Sequence, residues 1–197
     1  NTCYMFNHRP NSLNAGSLWG RPFYILREAW NILNAIAEGK IESGDEKKLN
    51  ALKGETMAVI ALCQFDLTRC FGYPYTKDKG ASLGAPLIDH LVGTYENPPR
   101  STVAQAYDFI IETLEEAVTL MSEEKNNGRM NKYAARALLA RIYLYHDDNR
   151  KAFDLADQLI KDADTSGSYA LYPHEKYVAA WSVEAKFGSE SFFEIAN

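Results

Sequence analysis

One stretch, Gly128–Asp162, leaves this chain few ways to fold; it reads GRMNKYAARALLARIYLYHDDNRKAFDLADQLIKD. It has the pattern of two helices joined by a tight turn. Asn131 is placed to cap the first, because its side-chain oxygen can accept from the free N–H groups of the first turn. Ala134, Leu138, Ile142 and Tyr145 then make one apolar stripe, widened by Ala135, Leu139 and Tyr143. Alanines at 134, 135, 137 and 140 leave little side chain, so a neighbouring helix can come close. His146-Asp147-Asp148-Asn149 interrupts the pattern with turn residues, and Ala152, Phe153, Ala156, Leu159 and Ile160 form the second stripe.

Two such helices cannot bury both faces against each other alone, which points to repetition. Leu139, Ala140, Tyr143, Ala152 and Ala156 occupy successive packing positions of a tetratricopeptide-type pair. Arg136 stands where that repeat has an aromatic residue, and Asp147 where it has a small one. An ordinary antiparallel helix pair is the alternative.

A length of 197 residues suffices for one domain with a sizeable core. The net charge of −5 argues against nucleic acid as the partner, since phosphate neutralisation needs a clustered basic face. Twelve tyrosines, nine phenylalanines and three tryptophans are enough to fill a core and still supply a sugar-binding surface. No apolar run approaches the roughly 18 residues of a membrane span. Cys63 and Cys70, on one helix, lie about 10 Å apart along its axis, too far for a disulfide. Both are expected to be reduced core residues, and no cysteine or histidine spacing suits zinc. There is no signal peptide and no initiating methionine, so both ends read as cut.

In chain order, residues 1–17 have loop composition, rich in asparagine, and carry Tyr4, Phe6, Asn7, His8, Arg9 and Asn14. They form either a solvated terminus or a binding surface. A first helix is expected over Phe23–Ala37, opened by Pro22 and closed by Gly39, with Phe23, Leu26, Trp30 and Leu33 inward. Ser43-Gly-Asp-Glu46 has capping-box spacing for a second helix running to about Phe71, with Gly54 as an interruption. Residues 73–100 form a long connection of the kind that usually carries function, with Leu87-Ile88 as a short strand. Thr102–Gln105 repeats the capping-box spacing before an amphipathic helix. Residues 163–197 read as irregular, aromatic-rich from Tyr169 to Trp181, with a terminal strand over Glu190–Ala196.

No catalytic constellation emerges. Glu115-Glu116, Glu123-Glu124 and Asp147-Asp148 are neighbours pointing apart, whereas a glycosidase needs two carboxyls facing across a cleft. Asp66 and Arg69 have the spacing of a local ion pair. The four histidines lie near no nucleophile motif.

FDLTRCFGYPY with GAPLI, RSTVAQAYDFIIETLEEAV, RMNKYAARALLARIYLYHDD with RKAFDLADQLI, and SESFFEI occur in an order and spacing that resembles SusD/RagB proteins over about residues 55–195. Residues 1–53 match more loosely, through Trp19 and Trp30-Asn31. The resemblance implies a mainly α fold of tetratricopeptide-like antiparallel helix pairs, with long inserted loops and little strand. It implies a Bacteroidetes outer-membrane lipoprotein at the cell surface that binds a glycan or other nutrient and hands it to a TonB-dependent transporter barrel. It implies neither catalysis nor a cofactor. Against the family pattern, the chain is a fragment: Cys3, preceded by Asn-Thr, does not fit a lipobox, and the later part of the fold is missing. A helical-repeat adaptor for another protein is the alternative function; the 73–100 loop and the aromatic N-terminal stretch argue against it. The expected ligand residues are Tyr4, Asn7, His8, Arg9, Asn14 and Trp19, with Trp19 as plain core the competing reading.

Overall fold

The computed structural model describes residues 13–41, 44–182 and 186–195, with side chains from Gly16 onward. Six α-helices and one two-stranded sheet are found among them: α1 (Leu13–Ala37), α2 (Glu46–Phe71), β1 (Leu83–Pro86), β2 (Arg100–Thr102), α3 (Val103–Leu120), α4 (Lys132–Tyr145), α5 (Asn149–Ser166) and the single turn α6 (Tyr177–Ala180). The fold is mainly α, as the stripes require.

The local signals act where they stand. Asn131 caps α4 by accepting from Ala134 N at 3.0 Å. Thr102 and Gln105 make a complete capping box at α3, Gln105 N donating to Thr102 Oγ1 and Thr102 N to Gln105 Oε1. At α2 the cap is Asp45 rather than Ser43. Its carboxylate accepts from Lys47 N at 3.0 Å and Lys48 N at 3.4 Å, and Glu46 is already helical. Gly72 ends α2, its N–H donating to Thr68 O.

α2 is the centre. One face packs Ile60, Cys63 and Leu67 against Leu26 and Ala29 of α1 and Ala85 and Ile88 of the loop. The other packs Met57, Ala58, Ala61 and Phe65 against Ile110, Leu114 and Ala117 of α3 and Ala135, Leu139 and Ile142 of α4. Phe65, Ile60, Leu67, Ile110 and Ile142 are 0–1% exposed, so each stabilises the fold by about 1.5–3 kcal/mol. Gly54 does not break α2; it admits α3. A Cβ there would lie 2.9 Å from Ala117 O and 2.7 Å from Met121 Cγ.

α4 and α5 form the antiparallel pair, turned by His146–Asp148 with Asp147 in the left-handed region at φ 69°. Aspartate tolerates that conformation, which explains its place at the turn. Arg136 reaches Asp162 on α5 at 2.7 Å, so the residue that departs from the repeat pattern becomes an interhelical tie.

Four expectations change. α1 begins at Leu13, not Phe23, with Pro22 inside it; residues 13–17 are therefore helical. The first strand is Leu83–Pro86 rather than Leu87-Ile88, held because Arg100 and Ser101 donate to the carbonyls of Leu83, Gly84 and Ala85. Residues 190–195 form no strand; Phe192 instead stacks on Tyr169, ring centres 4.7 Å apart. Cys63 is buried and its thiol is pushed up to about 12 by burial, but Cys70 is exposed rather than core. Cys3 lies outside the described residues, as does Ser43 of the expected capping box.

Candidate functional site

Of the six expected ligand residues, Tyr4, Asn7, His8 and Arg9 lie outside the described residues, and Asn14 sits in α1 without a described side chain. Trp19 is the one whose side chain is described. It projects from α1 and meets Phe23 at 5.1 Å and Phe71 at 4.8 Å, both edge-on, while staying 39% exposed. Both readings of this residue thus have substance: one edge of the indole ties α1 to the end of α2, and the rest faces water. Leu18, Tyr24 and Ile25 of α1 are also exposed, with Arg27 over the Tyr24 ring at 5.1 Å.

The 73–100 loop is ordered from beneath by two side chains. Trp30 Nε1 donates to Ile88 O at 3.2 Å. Gln64, fully buried, donates to Pro86 O at 3.1 Å and accepts from Ile88 N at 3.3 Å. The sequence placed Trp30 on an inward helix face; the indole and the Gln64 amide serve there because a buried backbone needs partners. Beyond Ile88 the turn is closed by His90, whose Nδ1 meets Asp89 at 2.6 Å and whose Nε2 meets Glu96 at 2.7 Å. Carboxylates only accept, so the protonated imidazole, donating from both ring nitrogens, is the form that satisfies both contacts. The two acceptors raise its pKa above the ordinary value. Tyr95, at the tip, is fully solvated.

A second opening, about 710 Å³, lies between the start of α2 and the α3–α4 connection. Its wall is Glu55, 19% exposed, which accepts from Met130 N at 3.0 Å and from both Arg129 Nε and Nη2. The adjacent carboxylates have structural partners: Glu115 takes the hydroxyl of Tyr143, Glu116 pairs with Lys53, Glu123 with Lys132, and Asp148 caps α5. Asp66 and Arg69 make the expected local ion pair at 2.9 Å. Among the described residues no group of three histidine, cysteine, aspartate or glutamate side chains is placed to hold a metal.

Comparison with known proteins places this scaffold. Residues 4–144 match the family model SusD-like, described as starch-binding and associating with the outer membrane. The chain belongs to the SusD-like family. A SusD superfamily protein from Bacteroides thetaiotaomicron VPI-5482 is 40% identical, superposing with a TM-score of 0.84 over 90% of this chain and 38% of that one. A Bacteroides vulgatus ATCC 8482 protein assigned a sugar-binding role is 38% identical, with a TM-score of 0.83 over 91% of this chain and 40% of that one. Surface glycan-binding protein A from Bacteroides uniformis shares the fold at 19% identity, with a TM-score of 0.77 over 98% of this chain and 40% of that one. The chain thus spans about two fifths of the length of these relatives. No curated protein matches it.

Proposed function

We propose that this SusD-like chain binds a glycan or related nutrient at the bacterial cell surface without transforming it, and that the whole protein passes the ligand to a TonB-dependent transporter barrel in the outer membrane. The observation that carries the reading is the match of residues 4–144 to a family described as starch-binding and associating with the outer membrane. The relative assigned to sugar binding, at 38% identity, supports the same ligand class. Among the described residues no helix is long and apolar enough to cross a membrane.

For the ligand we assign Tyr4, Asn7, His8, Arg9, Asn14 and Trp19. Sugars present flat apolar faces and polar edges, so a site needs an aromatic platform with amide and guanidinium donors around it. Trp19 supplies the platform already oriented, since its contacts with Phe23 and Phe71 fix the ring. A platform locked before binding loses little side-chain entropy on binding.

The transporter step is tested by purifying the whole protein from membranes under mild detergent. An outer-membrane barrel is expected to co-purify. Repeated recovery of the protein alone contradicts delivery to a barrel and leaves glycan binding to be judged by calorimetry.

A further inference from the structure

After α5, Tyr172, Trp181, Glu190, Ser191 and Glu194 line an open cleft of about 450 Å³. That size falls among small-molecule sites, about 300–1,000 Å³. The cleft is tied to the scaffold through Tyr169, three residues before Tyr172. Tyr169 is buried, stacks on Tyr133 at 5.2 Å, and receives Asn131 Nδ2 on its hydroxyl at 2.8 Å. Its far wall is tied on by Lys125 Nζ, which donates to Gly188 O at 2.8 Å, and by Ala170 N, which donates to Ser189 O at 3.2 Å.

The two carboxylates are held in place by backbone. Tyr172 N donates to Glu190 Oε1 at 2.5 Å and Phe187 N to Glu194 Oε2 at 2.8 Å. Gly188 lets the wall close: a Cβ there would fall 1.9 Å from Tyr172 Oη. Against this polar wall stands Trp181, an indole 75% exposed, meeting Tyr177 edge-on at 6.2 Å.

An exposed indole lining one cleft with ordered acceptors is the chemistry of sugar recognition. The ring takes the C–H face of a pyranose, while carboxylates and a serine hydroxyl take its hydroxyl hydrogens. Two glutamates disfavour phosphate or any anionic ligand, while a hydroxyl-rich sugar meets both the carboxylate acceptors and the indole face. We infer that the Trp181 cleft is an oligosaccharide-binding subsite, built from residues other than the N-terminal set. The inference rests on the glycan reading above and adds a location to it.

The chain has three tryptophans, so the indole N–H signals of Trp19, Trp30 and Trp181 are resolvable by nitrogen-15 NMR and assignable through single Trp→Phe variants. Titration of the 197-residue chain with maltoheptaose, and separately with laminarihexaose, reads the site without disturbing the fold. A saturable shift of the Trp181 signal is expected with at least one of them, with affinity read by calorimetry falling at least tenfold in Trp181→Ala. Saturable shifts at Trp19 with Trp181 unmoved overturn the subsite and keep the glycan reading. Silence at all three indoles with both sugars overturns the subsite together with glycan binding by this chain.

Discussion

Replacing Gly54 by alanine sets two effects of opposite sign against each other. In an isolated helix the change stabilises by about 0.8–1.0 kcal/mol, because glycine loses more backbone freedom. In this fold the new Cβ meets Met121 Cγ at 2.7 Å, Ala117 O at 2.9 Å and Leu120 Cβ at 3.0 Å. The methionine can swing away; the carbonyl is fixed inside α3, so the two helices must part. Overpacking of this kind costs about 1–3 kcal/mol. Gly54→Ala is therefore expected to lose up to about 2 kcal/mol net. Gly54→Val adds two methyl groups to the same contact with poorer helix propensity, and should lose about 2–4 kcal/mol. Urea unfolding followed by far-ultraviolet circular dichroism measures both. In a chain of this length each kcal/mol also lowers Tm by about 2–4 °C. Gly54→Ala more stable than the parent by about 1 kcal/mol would show that propensity alone governs the site, and would refute the close α2–α3 contact.

Leu139→Pro places proline in the buried middle of α4, removes a helix hydrogen bond and costs about 3 kcal/mol or more; loss of helical dichroism is expected, and a well-folded variant contradicts the assignment. Gln64→Leu leaves Pro86 O and Ile88 N without their partner, an expected loss of about 1–3 kcal/mol. Faster hydrogen exchange at Ile88 is the readout, and unchanged exchange there refutes the anchor. His90 has a raised folded-state pKa, so its stabilising contribution is fully present below its ordinary value of 6.5 and is lost as pH rises through the folded value. Proton NMR of the imidazole should titrate above 6.5 and the 89–96 turn should exchange faster at higher pH; titration at or below 6.5 contradicts the two-carboxylate clasp.

What the sequence made legible was local. Asn131 and the Thr102–Gln105 box act within one helical turn, and the stripes of α3, α4 and α5 are written at 3.6-residue spacing, so their chemistry needs no distant partner. What stayed hidden depends on distant contacts. Pro22 reads as a helix start, yet α1 runs through it, and Trp19 before that proline is held by Phe71, more than fifty residues on. Gly54 reads as an interruption until Ala117 O is placed beside it. Phe192-Phe193 reads as strand because alternation and aromatic content cannot say whether a ladder partner exists. The site divides the same way: the N-terminal residues are assigned from composition. Tyr172, Trp181, Glu190 and Glu194 are spread over 23 positions and come together through distant ties such as Asn131 to Tyr169 and Lys125 to Gly188. The aromatic run from Tyr169 to Trp181 was the available signal.

The central claim is that glycan binds at the residues assigned around Trp19, and isothermal calorimetry of the whole protein against a panel of host and plant glycans tests it directly. The 197-residue chain alone is expected to bind only at millimolar affinity, and the whole protein more tightly. In the whole protein, Arg9→Ala and Trp19→Ala are each expected to weaken binding by about 1–3 kcal/mol, the scale of a contact left unmade in a desolvated site. No glycan bound by the whole protein, or both variants binding as tightly as the parent, would contradict the account.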